Sequence, residues 1–409
     1  MTIPRGQSND AIGLTVMQTL ELGVDVMQTH LPLVFDSPCY GPDDIWRILL
    51  LAAAQGRSID SAPADLASGP SPSTIRYQLR NHLFAKRDLL TLEEGINAAL
   101  VSQFPPGVNG SKQRIAIDLT LIPYHGQPAK DPNEVRRGEA KSGTTHFHCY
   151  GSAYVIRHNQ RVTLALTYVR ADDSVATVLE RLLARLKDLE IVPKHLYLDR
   201  QFFSVELLRI LKIEPFTTIL PVPVRGKRLK SLLRGRQGYQ TTYEVKSPKN
   251  GTEVIDLYII CRYAKGRRGL HRAEHLPYAV VGQFDGPVSA VRQEHRSRFG
   301  IESSYRLGNI LRVRTSSRDP KLRLLLVGLS AILVNLWVCL KWTVASIRRP
   351  GRGGRTVRED LSRLYRMMTF LTLAVQAIYG IVTAIQHPTS KTANQRHYCI
   401  PSKLTLTEY

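Results

Sequence analysis

Apolar residues recur at helical spacing through the first hundred positions, and from residue 111 they switch to the every-second-residue rhythm of strands. DDIWRILLLAAAQ, beginning at Asp43, opens on two acids and repeats its apolar positions every three or four residues, which predicts a helix. SIDSAPADLASGPSPSTIRYQLRN (58–81) predicts a short helix, a Ser-Gly-Pro-Ser-Pro turn and a second helix carrying Ser73, Thr74, Arg76, Tyr77 and Arg80. Beyond 111, RIAIDLTLIPY (114–124) alternates as a strand, with THFHCYGSAYVIRH (145–158) and RVTLALTYVRA (161–171) as hairpin partners. DDSVATVLERLLARLKDLE (172–190) predicts an amphipathic helix, KHLYLDR (194–200) a short buried strand, SVELLRILKI (204–213) a helix and FTTILPVPV (216–224) a strand. Three strands, a helix, a strand, a helix and a strand make an α/β core with a mixed sheet.

Between 225 and 288 the pattern departs from that core. The strand-like runs YQTTYEVK, EVIDLYIICRY and YAVVGQF predict a β-rich insertion. After it, PVSAVRQEHRSRFGIESSYRLGNILRVRT (287–315) is helical at first and laden with arginine; an apolar helix (321–344), a GRGGR break and a last helix follow. The domains expected are therefore a helical region 1–110, an α/β core 111–224 and 289–345, a β insertion 225–288, and a helical C-terminal region 346–409.

Two apolar stretches, 322–340 and 367–386, approach the length of a membrane span. The first holds Arg323 and Asn335, and the second holds Gln376, Tyr379 and Thr383 at spacings that suit a packed helix. The cost of placing such groups in lipid favours core helices and no membrane partner. A membrane-associated basic protein is the minority reading.

Charge narrows the choice of partner. The 409 residues include 56 Lys and Arg against 34 Asp and Glu, a formal charge of +22, which calls for an anionic partner and speaks against an enzyme of small neutral metabolites. RGKRLKSLLRGR (225–236) has six basic residues in twelve and no acid, and AKGRRGLHR forms a second basic loop, so Arg225, Lys227, Arg228 and Lys230 are candidates for phosphate contact. Arg76 and Arg80 suit the second helix of a helix-turn-helix lying in the major groove of DNA, against the alternative of two packed helices with a solvated basic face. Five widely spaced cysteines with no CxxC pair argue against a disulfide framework and fit a reducing compartment. MTIPRGQSND shows no signal-peptide pattern, so a cytoplasmic, nucleoid-associated location is expected.

Most acids lie on helix starts or solvated faces. Asp118, however, interrupts an apolar strand, Asp199 ends another and is followed by Arg200, and Glu302 sits between Arg298 and Arg306. A lone strand aspartate is costly unless it is paired or holds a cation. Two of them on adjacent strands, with Glu302 from the next helix, give oxygen-only ligation that suits magnesium or manganese. Two such ions, roughly 3.5–4 Å apart, support in-line displacement at phosphorus. Structural roles are the alternative for each residue: a turn cap for Asp118, helix initiation for Asp199, an i, i+4 pair for Glu302.

These motifs resemble those of DDE transposases of prokaryotic insertion sequences, cut-and-paste enzymes with a ribonuclease-H-like core and a β insertion before the glutamate. IAIDLTLIPY, the LDR at Asp199-Arg200 and HRSRFGIESSYR carry the resemblance, with KSGTTHFHCYGSAY similar to the family's second strand; it spans about 111–345. It implies a homodimer that binds the terminal inverted repeats of its element, cuts DNA there and joins 3′ ends to target DNA. Asp118, Asp199 and Glu302 would be the metal-binding catalytic triad. The family's third motif is Tyr, two residues, Arg, three residues, Glu, six residues, Lys. Arg298 and Glu302 match it, whereas His295 and Asn309 stand at the tyrosine and lysine positions. Tyr305, Arg306 and Arg312 are the candidates to supply the missing phosphate contacts. All three tryptophans (Trp46, Trp337, Trp342) lie outside 225–288, so a base-stacking hairpin route is not predicted. A catalytically silent, regulatory DNA-binding relative is the alternative.

Two further patterns carry little. His146 and His148 share one side of a strand near Cys149 without a further ligand cluster. No GxxxxGK[ST] or GxSxG run is present, which gives no support to nucleotide hydrolysis or a serine hydrolase.

Overall fold

The computed structural model describes residues 13–105, 107–108, 112–127, 133–157, 161–263, 273–298, 306–344, 346–348, 355–357 and 364–383. The chain forms two compact units: Met1–Ser102 with Gly308–Ser317 and Lys321–Tyr409, and Gln103–Leu307 with Arg318–Pro320.

The first unit is helical. Helix α1 (Val16–His30) starts at a capping box, where the Thr15 hydroxyl accepts from Gln18 N and the Gln18 side chain accepts from Thr15 N. Helix α2 (Pro42–Gln55) opens with Pro42, Asp43 and Asp44 and stops at Gly56, whose φ of +60° is the left-handed conformation glycine adopts freely. After a single 3-10 turn (Ala62–Asp65), helix α3 (Pro72–Gln78) is capped by Ser71 and runs on as a π turn to Phe84. The expected helix-turn-helix is thus reduced: its first helix is one four-residue turn, because Pro63 and the glycine-proline run leave no room for more. Helix α4 (Leu89–Ser102) completes the N-terminal set.

The long helix Pro320–Val344 belongs to this helical unit, not to the α/β unit with which sequence order groups it. It is long and apolar enough to cross a membrane, but 83% of its most apolar window is buried inside the protein. Its polar residues find partners there: the buried Asn335 amide donates to Leu100 O at 3.2 Å, and Arg323 donates to Ser317 O. The last helix, Leu364–Tyr379, buries Met367, Leu371, Ala374, Val375 and Tyr379, one stripe at helical spacing, against α1 and α2.

The second unit is built on a nine-stranded, mostly antiparallel mixed sheet. Strand β1 (Gln113–Tyr124) pairs antiparallel with β3 (Thr144–Val155), and the far edge of β3 holds β2 (Arg136–Lys141) at its start and β4 (Thr163–Val169) beyond. Helix α5 (Val175–Asp188), capped by Ser174, lies on β3 and β4. It approaches so closely that a Cβ at Gly151 would stand 2.7 Å from Val178. β5 (Pro193–Tyr197) then joins β1 in parallel; helix α6 (Val205–Lys212) crosses back, and β6 (Thr217–Pro221) joins β5, again in parallel.

Beyond β6 comes the basic helix α7 (Gly226–Leu232), followed by β7 (Tyr239–Ser247), β8 (Gly251–Tyr263) and β9 (Ala273–Val281). These strands do not form a separate β domain. β9 pairs antiparallel with β6, so the stretch 225–288 extends the same sheet. Helix α8 (Val288–Arg296) packs Val291 on the sheet face formed by Ala116, Tyr154, Tyr197, Ile219, Tyr258, Tyr278 and Val280. On the opposite face, β3 and β4 carry α5. Cys39 is disulfide-bonded, which the wide cysteine spacing does not predict, while Cys149, Cys261 and Cys339 are free.

Candidate active site

The site forms where the parallel pairing of β1 with β5 ends. Ala116 of β1 is the partner of Tyr197 of β5, so two residues further Asp118 and Asp199 stand side by side on the face that α8 covers. β1 continues there, Asp118 facing Ser152 of β3, whereas β5 leaves the sheet. Asp199 caps the 3-10 turn Arg200–Phe202, its carboxylate accepting from Arg200 N at 2.7 Å. A crevice outside the carboxyl ends of parallel strands is the usual place for a ligand in such a sheet.

Helix α8 brings the counter-charge. His295 is buried and donates from Nε2 to Leu198 O at 3.0 Å, which ties the helix end to the end of β5. Burial drops this imidazole to about 4, so it is neutral at physiological pH. Three residues on, Arg298 places Nη1 at 3.0 Å from Asp118 Oδ2 and Nη2 at 3.8 Å from Asp199 Oδ1. The other Asp118 oxygen accepts from Leu119 N at 2.9 Å and from Gln201 Nε2 at 3.2 Å. Burial pushes the Asp118 carboxyl up to about 6, with Arg298 and the Leu119 N–H pulling it down and the charge of Asp199 adding to the rise.

A third carboxylate lies on the same face. Glu294 of α8 accepts from the Tyr197 hydroxyl at 2.6 Å and pairs with Arg114 of β1 at 2.9 Å and His195 Nδ1 at 3.4 Å. Burial raises its pKa, but the Tyr197 hydroxyl, Arg114 and His195 outweigh that and hold it below the ordinary value. This network locks α8 across β1 and β5 and so fixes where Arg298 emerges.

Of the residues singled out from sequence, the structure brings together Asp118, Asp199 and Arg298, with Arg200 exposed on the adjoining turn. Glu302 and Tyr305 lie outside the described residues. Arg306 is exposed in a short helical stretch, 306–310. Lys227, Arg228 and Lys230 are exposed on α7 and Arg225 is exposed at its N-cap; Arg228 is engaged, paired with Glu244 at 2.7 Å and lying over the Tyr243 ring. Arg76, Arg80 and Arg312 belong to the helical unit, where Arg76 is paired with Asp60 at 2.7 Å. Gln201, Glu294, Tyr197 and Arg114 were not singled out. The available signal was spacing: Gln201 falls two residues after Asp199, and Glu294 one helical turn before Arg298.

Asp118 and Asp199 offer adjacent oxygen donors, and a guanidinium already sits against both, so the place suits a positive charge. Among the described residues no group of three or more His, Cys, Asp or Glu side chains gathers as a metal site. His148, buried on β3, lies edge-on to Tyr124.

No family model matches the sequence, and no curated protein matches it. Among solved structures the chain is similar to a piggyBac transposase captured in a synaptic complex with hairpin DNA, with a TM-score of 0.53 over 97% of this chain and 87% of that one. At 11% identity this likeness is one of fold: the chain has an α/β, transposase-like fold.

Proposed function

We propose that this protein is a DDE transposase that binds the terminal inverted repeats of an insertion sequence, cuts DNA at those ends and joins the 3′ ends to target DNA. The observation that carries the reading is that Asp118 and Asp199 stand side by side just past the parallel pairing of β1 with β5, in a chain whose fold is similar to that of a transposase. The strand order β4-β3-β1-β5-β6, with only β1, β5 and β6 parallel, supports a ribonuclease-H-like core. The charge of +22 supports double-stranded DNA as partner.

In this reading Asp118, Asp199 and Glu302 hold magnesium or manganese, which when bound supplies Lewis acidity to the attacking and leaving oxygens at phosphorus. The chain's own residues do the rest. Gln201 and the Leu119 N–H fix the rotamer of Asp118, the Arg200 N–H fixes Asp199, and the Glu294 network holds α8 at its register. Arg298 and Arg306 contact phosphate, and the exposed α7 basics follow the duplex backbone. A homodimer is proposed because two element ends have to be brought together. The ion pairs from Arg298 to both aspartates favour one second reading, a silent DNA-binding relative, since a carboxylate pair already half offset by a guanidinium attracts a cation less strongly.

The test is incubation of a labelled duplex bearing the terminal repeat with magnesium or manganese. Wild type is expected to nick at the repeat boundary, with Asp118→Asn and Asp199→Asn lowering the rate at least about a thousandfold, the scale of losing a positioned charge in a catalytic site. Tight binding without cutting by any variant would support the silent relative. Cutting that survives both substitutions would remove these residues from the active site.

A further inference from the structure

We infer that Arg298 is the counter-ion that Asp118 and Asp199 keep in the absence of a divalent cation, and that it gives up Asp118 Oδ2 when such an ion binds. The inference rests on the metal-dependent reading above. It follows from accounting for the carboxylate oxygens. Asp118 Oδ1 already accepts two hydrogen bonds, from Leu119 N at 2.9 Å and Gln201 Nε2 at 3.2 Å. Its Oδ2 accepts from Arg298 Nη1 at 3.0 Å. Asp199 Oδ1 accepts from Arg200 N at 2.7 Å and faces Arg298 Nη2 at 3.8 Å. A cation bridging the two aspartates therefore needs the oxygen that Arg298 holds.

The charges are poorly screened, because the Arg298 and Asp118 side chains are only 11% and 13% exposed. Two aspartates on neighbouring strands repel one another, and a planar guanidinium with two arms can face both at once, offsetting one of their two negative charges. A divalent ion meets the same guanidinium as a repulsive charge at close range. Arg298 lies past the last residue of α8, Arg296, so its side chain can withdraw while the helix and its Glu294 and His295 anchors stay in place. Arg298 is thus a positioning residue in the metal-free protein and a competitor of the ion. A merely structural arginine would behave differently: its loss would weaken the fold and cation binding together.

The opposite signs make the test. Manganese is titrated calorimetrically into the full chain without DNA, and melting is followed with and without the ion. Arg298→Gln is expected to melt lower than wild type without metal, yet to bind manganese at least about tenfold more tightly. Arg296→Gln, which removes an exposed charge two residues away, is expected to change the affinity less than about twofold because of solvent screening. Arg298→Lys retains a charge that cannot span both carboxylates; it is expected to fall between the two, and it keeps the test open if the glutamine variant does not fold. Manganese affinity in Arg298→Lys or Arg298→Gln equal to wild type, or weaker, would overturn the counter-ion role alone. If neither wild type nor either variant takes up manganese, the metal-dependent reading falls with it.

Discussion

At the scale of single residues, Asp118 and His295 oppose one another across acid pH. Asp118 has a folded pKa raised to about 6 from 3.8, so its contribution to stability is full below pH 3.8 and is lost as pH rises through 6. His295 is depressed from 6.5 to about 4, so its contribution is full above 6.5 and is lost as pH falls toward 4. Each shift is worth on the order of 3 kcal/mol over its window, so the two nearly cancel in the wild type. Urea unfolding of the metal-free protein should separate them. The stability of Asp118→Asn relative to wild type should be close to zero at pH 4 and grow by up to about 3 kcal/mol by pH 7. A difference independent of pH would refute the burial of that carboxyl. Asp118 and Asp199 were legible in sequence because a charge that interrupts or ends an apolar strand has few benign explanations. Glu294 was not, because a glutamate on an arginine-rich helix looks the same whether it faces solvent or a buried tyrosine.

At the scale of elements, hydrophobic period identified most segments. The alternation of RIAIDLTLIPY and the helical spacing of 172–190 and 204–213 are local signals, and each element formed where they stand. What stayed hidden was which element each one joins. β2, with the sequence RRGEAK, is exposed along most of its length and has no apolar face to announce it. Continuity of β6 with β9 depends on pairing across some sixty residues, which no local pattern encodes. The same holds for the helix Pro320–Val344, whose all-round hydrophobicity says buried but not where. Its contact with α4 is tight: a Cβ on Gly328 would stand 2.7 Å from Ile96 Cγ2. Gly328→Ala should therefore cost about 1–3 kcal/mol by overpacking, and Ile96→Val in the same chain should recover part of it. Equal stability of Gly328→Ala and wild type in thermal melts would show that the helices do not meet so closely.

At the scale of the whole molecule, the chain divides its tasks. The helical unit is assembled from segments on both sides of the α/β unit, so all of the latter but Arg318–Pro320 is carried as an insert between Ser102 and Gly308. The α/β unit supplies the carboxylate pair and an exposed basic helix, α7, within one sheet-based body. A surplus of positive charge over the chain as a whole is what association with a polyanion requires. The central claim is that Asp118 ligates the catalytic cation. Its most direct test is Asp118→Cys in the duplex-cleavage assay, because a thiolate is a poor ligand for magnesium and a good one for softer ions. Cutting should be lost with magnesium and return, at least in part, with manganese or cadmium. Undiminished magnesium-supported cutting by Asp118→Cys would contradict the account.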